Sequence, residues 1–287
     1  MPSSLPYKKV YINSKFRTPD SNSSSDFKIE LPETMSFKED TCFYIDDICL
    51  PHSWPSIISN INNKLYFKIF KITVLPEIEY NLIATIDQAN YTGGDLATEM
   101  TTEMNGHAQT ATGVANLFTC TYDVMTNKIR IVINNNLYAF RIVTQPELKT
   151  IDWSGPAFDR KKPNDINEVL SNLGNYSLRY NTVIPYVSGP INLQPFNCIY
   201  IHANNLGNYN SIGPQNERTI VKSVKVTADT NHVIFDECVL INDYSDCSGQ
   251  TIKTLYFQLK SADGDIIPLE NCNWSFSIIF SRANPDI

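Results

Sequence analysis

Trp274, Phe276, Ile278 and Phe280 take every second position of one run, with Ser275 and Ser277 between them. A period of two belongs to a strand with one buried face, because successive strand side chains point to opposite sides. The same spacing recurs along the chain. Leu65, Phe67 and Ile69 alternate with Tyr66 and Lys68, and Phe118, Cys120 and Tyr122 with Thr119 and Thr121. Leu255, Phe257 and Leu259 oppose Tyr256, Gln258 and Lys260. Further β-prone runs lie at 8–13, 27–31, 42–50, 80–86, 128–133, 138–143, 198–202, 220–226 and 232–238. Thr126-Asn127, Asp229-Thr230-Asn231 and Asp263-Gly264 between them suit hairpin turns. About a dozen short strands with such punctuation predict an all-β chain, a sandwich or jelly roll.

One segment departs from this period. Thr92-Gly93-Gly94-Asp95 is a capping sequence, with the Thr92 hydroxyl placed to accept from the Asp95 N–H. Leu96, Met100 and Met104 then share a helical face as core filler, and Gly106 is placed to end the helix. With the three strands that follow, residues 88–145 are expected to form an inserted helix plus β-meander subdomain. A second short helix is expected over Asp165–Leu173, where Ile166, Val169, Leu170 and Leu173 share a face. The Tyr-, Asn- and Pro-rich stretch 174–193 suggests a long ordered loop. The expected division is an N-terminal arm and loop over 1–26 and a β-domain over 27–287.

Composition narrows the function classes. The 287 residues are 42% hydrophobic and carry a net charge of −7, so the chain is foldable and acidic. Wrapping of nucleic acid needs clustered Lys and Arg, and the short run Arg160-Lys161-Lys162 is flanked by Asp159 and Asp165. No sequence-specific nucleic-acid partner is expected. No apolar run is long enough to span a bilayer, and Met1-Pro2-Ser3-Ser4 opens without an apolar signal region. The expectation is a soluble chain, not secreted by its own signal and not inserted in a membrane. The seven cysteines include no C-x-x-C pair. Cys42, Cys120, Cys198 and Cys238 sit in apolar β-prone runs, as buried free thiols of a reducing compartment do. Cys238 and Cys247 could be bridged. Asn22, Asn90, Asn175 and Asn273 match the glycosylation acceptor pattern, as an Asn-rich chain does by chance.

Catalytic and ligand-binding patterns are weak. His52, His107, His202 and His232 have no partner at metal-ligand spacing, although His202 and His232 could meet across paired strands. Asp46-Asp47 lies inside an apolar strand, where alternation sends the two carboxylates to opposite faces and prevents a shared proton. Gly93-Gly94 lacks the Lys of a phosphate loop, and Asp263-Gly264-Asp265 is too short a ligand set for calcium. There is no G-x-S-x-G elbow and no His-x-His of a cupin. The chain is expected to be no enzyme, with no cofactor and no metal. A carbohydrate-binding sandwich would need an aromatic platform flanked by Asp or Asn, for which Trp153-Ser154-Gly155 is the candidate.

The N-terminal stretch carries a resemblance. A β-prone strand leads through Tyr11-Ile12-Asn13-Ser14-Lys15-Phe16-Arg17-Thr18-Pro19 and a Ser/Asn loop into Asp26-Phe27. A later strand closes as Ile45-Asp46-Asp47-Ile48-Cys49-Leu50-Pro51-His52-Ser53-Trp54. Ala89-Asn90-Tyr91-Thr92 with its helix, and the Asn-rich run after Ile199-Tyr200-Ile201-His202, add to the pattern. It resembles the penton-type minor capsid proteins of virophages and Polinton/Maverick-like viruses, sharply in the first fifty or so residues and diffusely beyond. The resemblance implies a single jelly-roll β-sandwich with a small α+β insertion, and function by assembly rather than turnover. Its implied partners are four further copies in a homopentamer, the trimers of a major capsid protein and a host receptor. Its implied place is the virion, assembled inside the host cell. Phe16, Arg17 and Pro19 become the expected assembly arm, with Arg17 bonded to a neighbour's carboxylate or carbonyl. The loops Tyr176–Tyr186 and Asn204–Ile212 are expected contact surfaces. A carbohydrate- or receptor-binding β-sandwich of a viral fibre or baseplate is the alternative.

Overall fold

The structure is a computed structural model that describes residues 8–150, 153, 162–174, 178–206, 211–237 and 244–282. In chain order the strands begin with β1 (Lys8–Asn13), β2 (Asp26–Ser36), β3 (Thr41–Pro51), β4 (Lys64–Lys71), β5 (Ile78–Thr85), β6 (Phe118–Asp123), β7 (Lys128–Ile133) and β8 (Tyr138–Ile142). They continue with β9 (Tyr186–Pro190), β10 (Cys198–Ala203), β11 (Ile220–Lys225), β12 (Val233–Asp236), β13 (Ser245–Asp246), β14 (Thr251–Lys260) and β15 (Ser275–Arg282). The helices are α1 (Gly93–Thr112) and α2 (Gln145–Leu148). The chain divides into two compact units, Met1–Trp54 with Phe196–Ile287, and Pro55–Pro195.

The first unit is a sandwich of two antiparallel sheets, β1-β15-β3-β12, with β13 also on β3, and β11-β10-β14-β2. Leaving β13 aside and counting its strands in chain order, the sheets run 1-8-3-6 and 5-4-7-2, which is the strand order of a jelly roll. Among the described long strands only β10 and β11 form a hairpin; the other successive ones lie in different sheets. The sheets therefore enclose one layer of inward side chains. Phe27 on β2 meets Trp274 edge-on at 5.8 Å, and Phe257 on β14 meets Phe276 on β15 at 4.9 Å. Trp274 stacks on Phe276 at 4.7 Å, and its indole N–H donates to the Ser24 carbonyl at 2.8 Å.

One expected hairpin is a crossing instead, and another is cut short. Asp229-Thr230-Asn231 joins β11 to β12 in the opposite sheet, and Asn231 takes the left-handed conformation at φ 68°. Asp263-Gly264 closes a single bridge, Lys260 to Ile266, before the chain crosses from β14 to β15. Thr126-Asn127 does form the β6–β7 hairpin. Turn chemistry fixes a reversal of direction and leaves open which sheet the next strand joins.

The second unit carries the sheets β5-β4-β8 and β6-β7-β9 together with α1, all inserted between β3 and β10. It extends well beyond 88–145, because β4 pairs with β8 and β7 with β9, drawing both flanks of that segment into one unit. The Thr92–Asp95 capping box forms, and Leu96, Met100 and Met104 are fully buried. The helix does not end at Gly106. Ala108 continues the buried face, Asn105 clamps Phe118 through both N–H and carbonyl bonds, and the helix stops at Gly113 with φ 75°. Gly106 faces open space. Gly106→Ala is therefore expected to stabilise the protein by about 0.5–1 kcal/mol, read from the urea midpoint, by removing backbone freedom from the unfolded chain.

The expected helix over 165–173 is only a single turn. Leu170 bonds back to Ile166, but Ser171 enters the left-handed region at φ 47° and breaks the run. Ile166, Val169 and Leu170 are buried as expected, whereas Leu173 is exposed. The short α2 and strand β9 had no periodic signal of their own.

Candidate interaction surface

β1, β15, β3 and β12 lie side by side, so their outward side chains line up in rungs. Asn13 opposes Ser275, Ser275 opposes Cys49, and Cys49 opposes Phe235. In the next rung Tyr11 opposes Ser277. At about 4.8 Å between neighbouring strands, the four-strand rung is about 14 Å across. It floors an open groove of about 620 Å³ in which Tyr11, Phe16, Phe235, Asp47 and Glu237 also take part. The three rings are 76%, 74% and 73% exposed.

A β-bulge shapes one side of this groove. Phe276 pairs with Ile48 and Ile278 with Ile45, so Asp46 and Asp47 together oppose Ser277. The extra residue breaks strand alternation and turns both carboxylates toward one cation. The expectation that the pair points to opposite faces is thus overturned. Lys9 Nζ donates to Asp46 at 2.9 Å and to Asp47 at 3.2 Å, and Ser277 Oγ donates to Asp47 at 3.3 Å. Those hydrogen bonds, Asp46 first, hold the Lys9 ammonium pKa well above the usual lysine range. The same ammonium lies 5.2 Å from the Tyr11 ring centre.

The arm expected over 1–26 is not a detached arm from Lys8 onward. Residues 1–7 lie outside the described residues. Residues 8–13 are a full strand of the jelly roll, because every position from Lys8 to Asn13 pairs with β15. The loop that follows folds onto the sandwich, with Ser14 N–H donating to Trp274 O, Thr18 N–H to Lys28 O, and Asn22 N–H to Asp26 O. Arg17 donates within its own chain, to Ser14 O at 3.0 Å and Asn273 Oδ1 at 3.3 Å. Phe16, Arg17 and Pro19 are exposed.

Other expected sites resolve into structure. Trp153 is buried, edge-on to Tyr66 at 5.4 Å with Lys68 over its ring, so it offers no surface platform; Ser154 and Gly155 lie outside the described residues. His202 bonds Thr219 Oγ1 at 2.8 Å on β10, which pairs with β11 and β14, so it does not meet His232. A Cβ on Gly93 would fall 2.5 Å from the Tyr122 ring, a packing reason for glycine at that position. Among the described residues no three His, Cys, Asp or Glu side chains are grouped to hold a metal. Cys42, Cys120 and Cys247 are buried free thiols, while Cys198 is half-buried and Cys238 lies outside the described residues. Burial pushes the Cys120 and Cys247 thiols up to about 12, far from a reactive thiolate. Arg160, Lys161, Asn175–Ser177 and residues 207–210 within the expected loops also lie outside the described residues. Among the described residues no helix is long and apolar enough to cross a membrane.

The groove was missed in the sequence because its walls are 224 residues apart, from Tyr11 to Phe235. A local signal existed. In Val233-Ile234-Phe235, alternation that buries Ile234 sets a phenylalanine on the outward face.

The strand order and the insertion make this a jelly roll that carries an α+β unit between its third and fourth strands. The fold is similar to that of the mavirus penton protein, seen in the crystal structure of its selenomethionine-labelled form. The likeness has a TM-score of 0.51 over 96% of this chain and 99% of that one, at 11% sequence identity. No family model matches the chain, and no curated protein does.

Proposed function

We propose that this chain is a structural capsid protein that closes the five-fold vertex of an icosahedral shell, as a homopentamer in contact with trimers of a major capsid protein. The carrying observation is the fold likeness to a penton protein, which spans both the jelly roll and the inserted unit over nearly the full length of both chains. Function then resides in surfaces rather than in a reacting group. A five-fold ring is heterologous: each copy presents two different patches to its neighbours. The turn carrying Phe16, Arg17 and Pro19 is one such patch, whose Arg17 is already hydrogen-bonded within its own chain. Preorganisation of that kind lowers the ordering cost of association. The virion is its place of action, and a host receptor is a further partner for its outward loops.

The test is co-expression with the major coat protein, followed by sedimentation of shells. The chain is expected in the shell fraction at a fixed ratio to coat protein. Phe16→Ala should reduce its incorporation about fivefold or more, as loss of a central aromatic contact does, with unchanged melting of the free chain. A chain absent from purified shells contradicts the reading.

A further inference from the structure

Apart from Phe16, which the proposed vertex contact also engages, the groove on the outer face of the β1-β15-β3-β12 sheet has a chemistry that vertex closure does not use. Its floor is Ser275, Ser277 and Cys49, and Tyr11, Phe16 and Phe235 stand around it, each nearly three-quarters exposed. Folding buries most large aromatics in this chain, yet these three rings converge on one surface concavity. We propose that this groove binds a short neutral oligosaccharide.

Three features select that ligand. First, the groove lies on the face of the sheet, over β15 and β3, which are hydrogen-bonded on both sides, so the backbone of the floor is consumed by the ladders. A peptide adding as a further strand would find no main-chain partners there. Recognition must come from side chains. Second, those side chains are flat rings interleaved with hydroxyl, amide and carboxylate groups: Ser275, Asn13 and Asp47, with the buried Ser277 behind Asp47. Rings cover the C–H faces of a sugar, and the polar groups bond its hydroxyls. The bulge places Asp47 here, and its contacts with Lys9 and Ser277 fix the carboxylate in position while leaving it 62% exposed. Third, Asp47 and Glu237 on the groove disfavour an anionic sugar. The size agrees: about 620 Å³ lies within the range of small-ligand sites, and a rung about 14 Å across accommodates a few rings in line.

The site belongs to the free chain, so its test is independent of assembly. Purified full-length protein is titrated with cellotriose, chitotriose, maltotriose, mannotriose and 3′-sialyllactose, read by saturation-transfer NMR and calorimetry. At least one neutral trisaccharide should bind, with 3′-sialyllactose weaker. Tyr11→Ala and Phe235→Ala should each weaken that binding about tenfold or more, as loss of a stacking ring does. Both positions are exposed, so each variant should melt with the parent, and Leu75→Ala, an exposed site in the other unit, should bind as the parent does. The proposal is overturned if no neutral trisaccharide binds at about 10 mM, well above the dissociation constants at which a specific site is occupied. It is equally overturned if binding survives both aromatic substitutions, or if 3′-sialyllactose binds best.

Discussion

Trp274→Ala should lower stability by about 4 kcal/mol, the range for emptying a buried tryptophan site. Trp274 is 1% exposed and sits where the two sheets of the sandwich meet, against Phe27 from one and Phe276 from the other. The substitution leaves a cavity lined by those rings. It also strips the Ser24 carbonyl of its indole donor, and the Trp274 N–H that holds Ser14 Oγ sits on a loosened backbone. A domain of ordinary stability holds about 5–15 kcal/mol in total, so the variant should be marginal near body temperature. Urea unfolding followed by near-ultraviolet circular dichroism measures it. A loss under about 1 kcal/mol would mean that this side chain does not join the sheets.

Acid should weaken the jelly roll through His202. This side chain is 2% exposed, its Nδ1 bonds Thr219 Oγ1, and its Nε2 is buried without a hydrogen-bond partner among the described residues. Burial pushes its pKa down to about 4, helped by the nearby Lys260 charge and opposed by Glu217. The folded chain thus prefers neutral imidazole, while the unfolded chain takes up a proton near the ordinary value of about 6.5. Stability is full above that value, falls as pH drops from about 6.5 to about 4, and levels off below, with about 3 kcal/mol lost in all. His202→Asn keeps a partner for Thr219 and removes the titration. Melting temperatures of the two proteins should converge between pH 7 and pH 4; parallel curves would exclude His202 as the cause.

The strand faces were legible in the sequence because burial imposes a period of two. Inward residues such as Phe257, Ile278 and Phe280 are fully buried as that period requires. Strand order was not legible, since Asp229-Thr230-Asn231 serves a sheet crossing with the same residues that would serve a hairpin. The start of α1 was written in Thr92 and Asp95, but its end was not. Glycine at 106 breaks a helix only when nothing beyond it is buried, and Ala108 is. The Asp46–Asp47 bulge was hidden because a one-residue slip depends on the pairing of β15, far along the chain. The groove shared that fate: its rings come from β1, the turn after it and β12, brought together only by the closed order of the sheet.

Electron cryomicroscopy of shells assembled in cells that co-express this chain with a major coat protein shows directly what fills the five-fold positions. Five copies of the jelly roll are expected around every five-fold axis, with the turn at Phe16, Arg17 and Pro19 at a contact between chains. Shells whose five-fold positions are filled by another chain, with this one elsewhere or missing, would contradict that expectation.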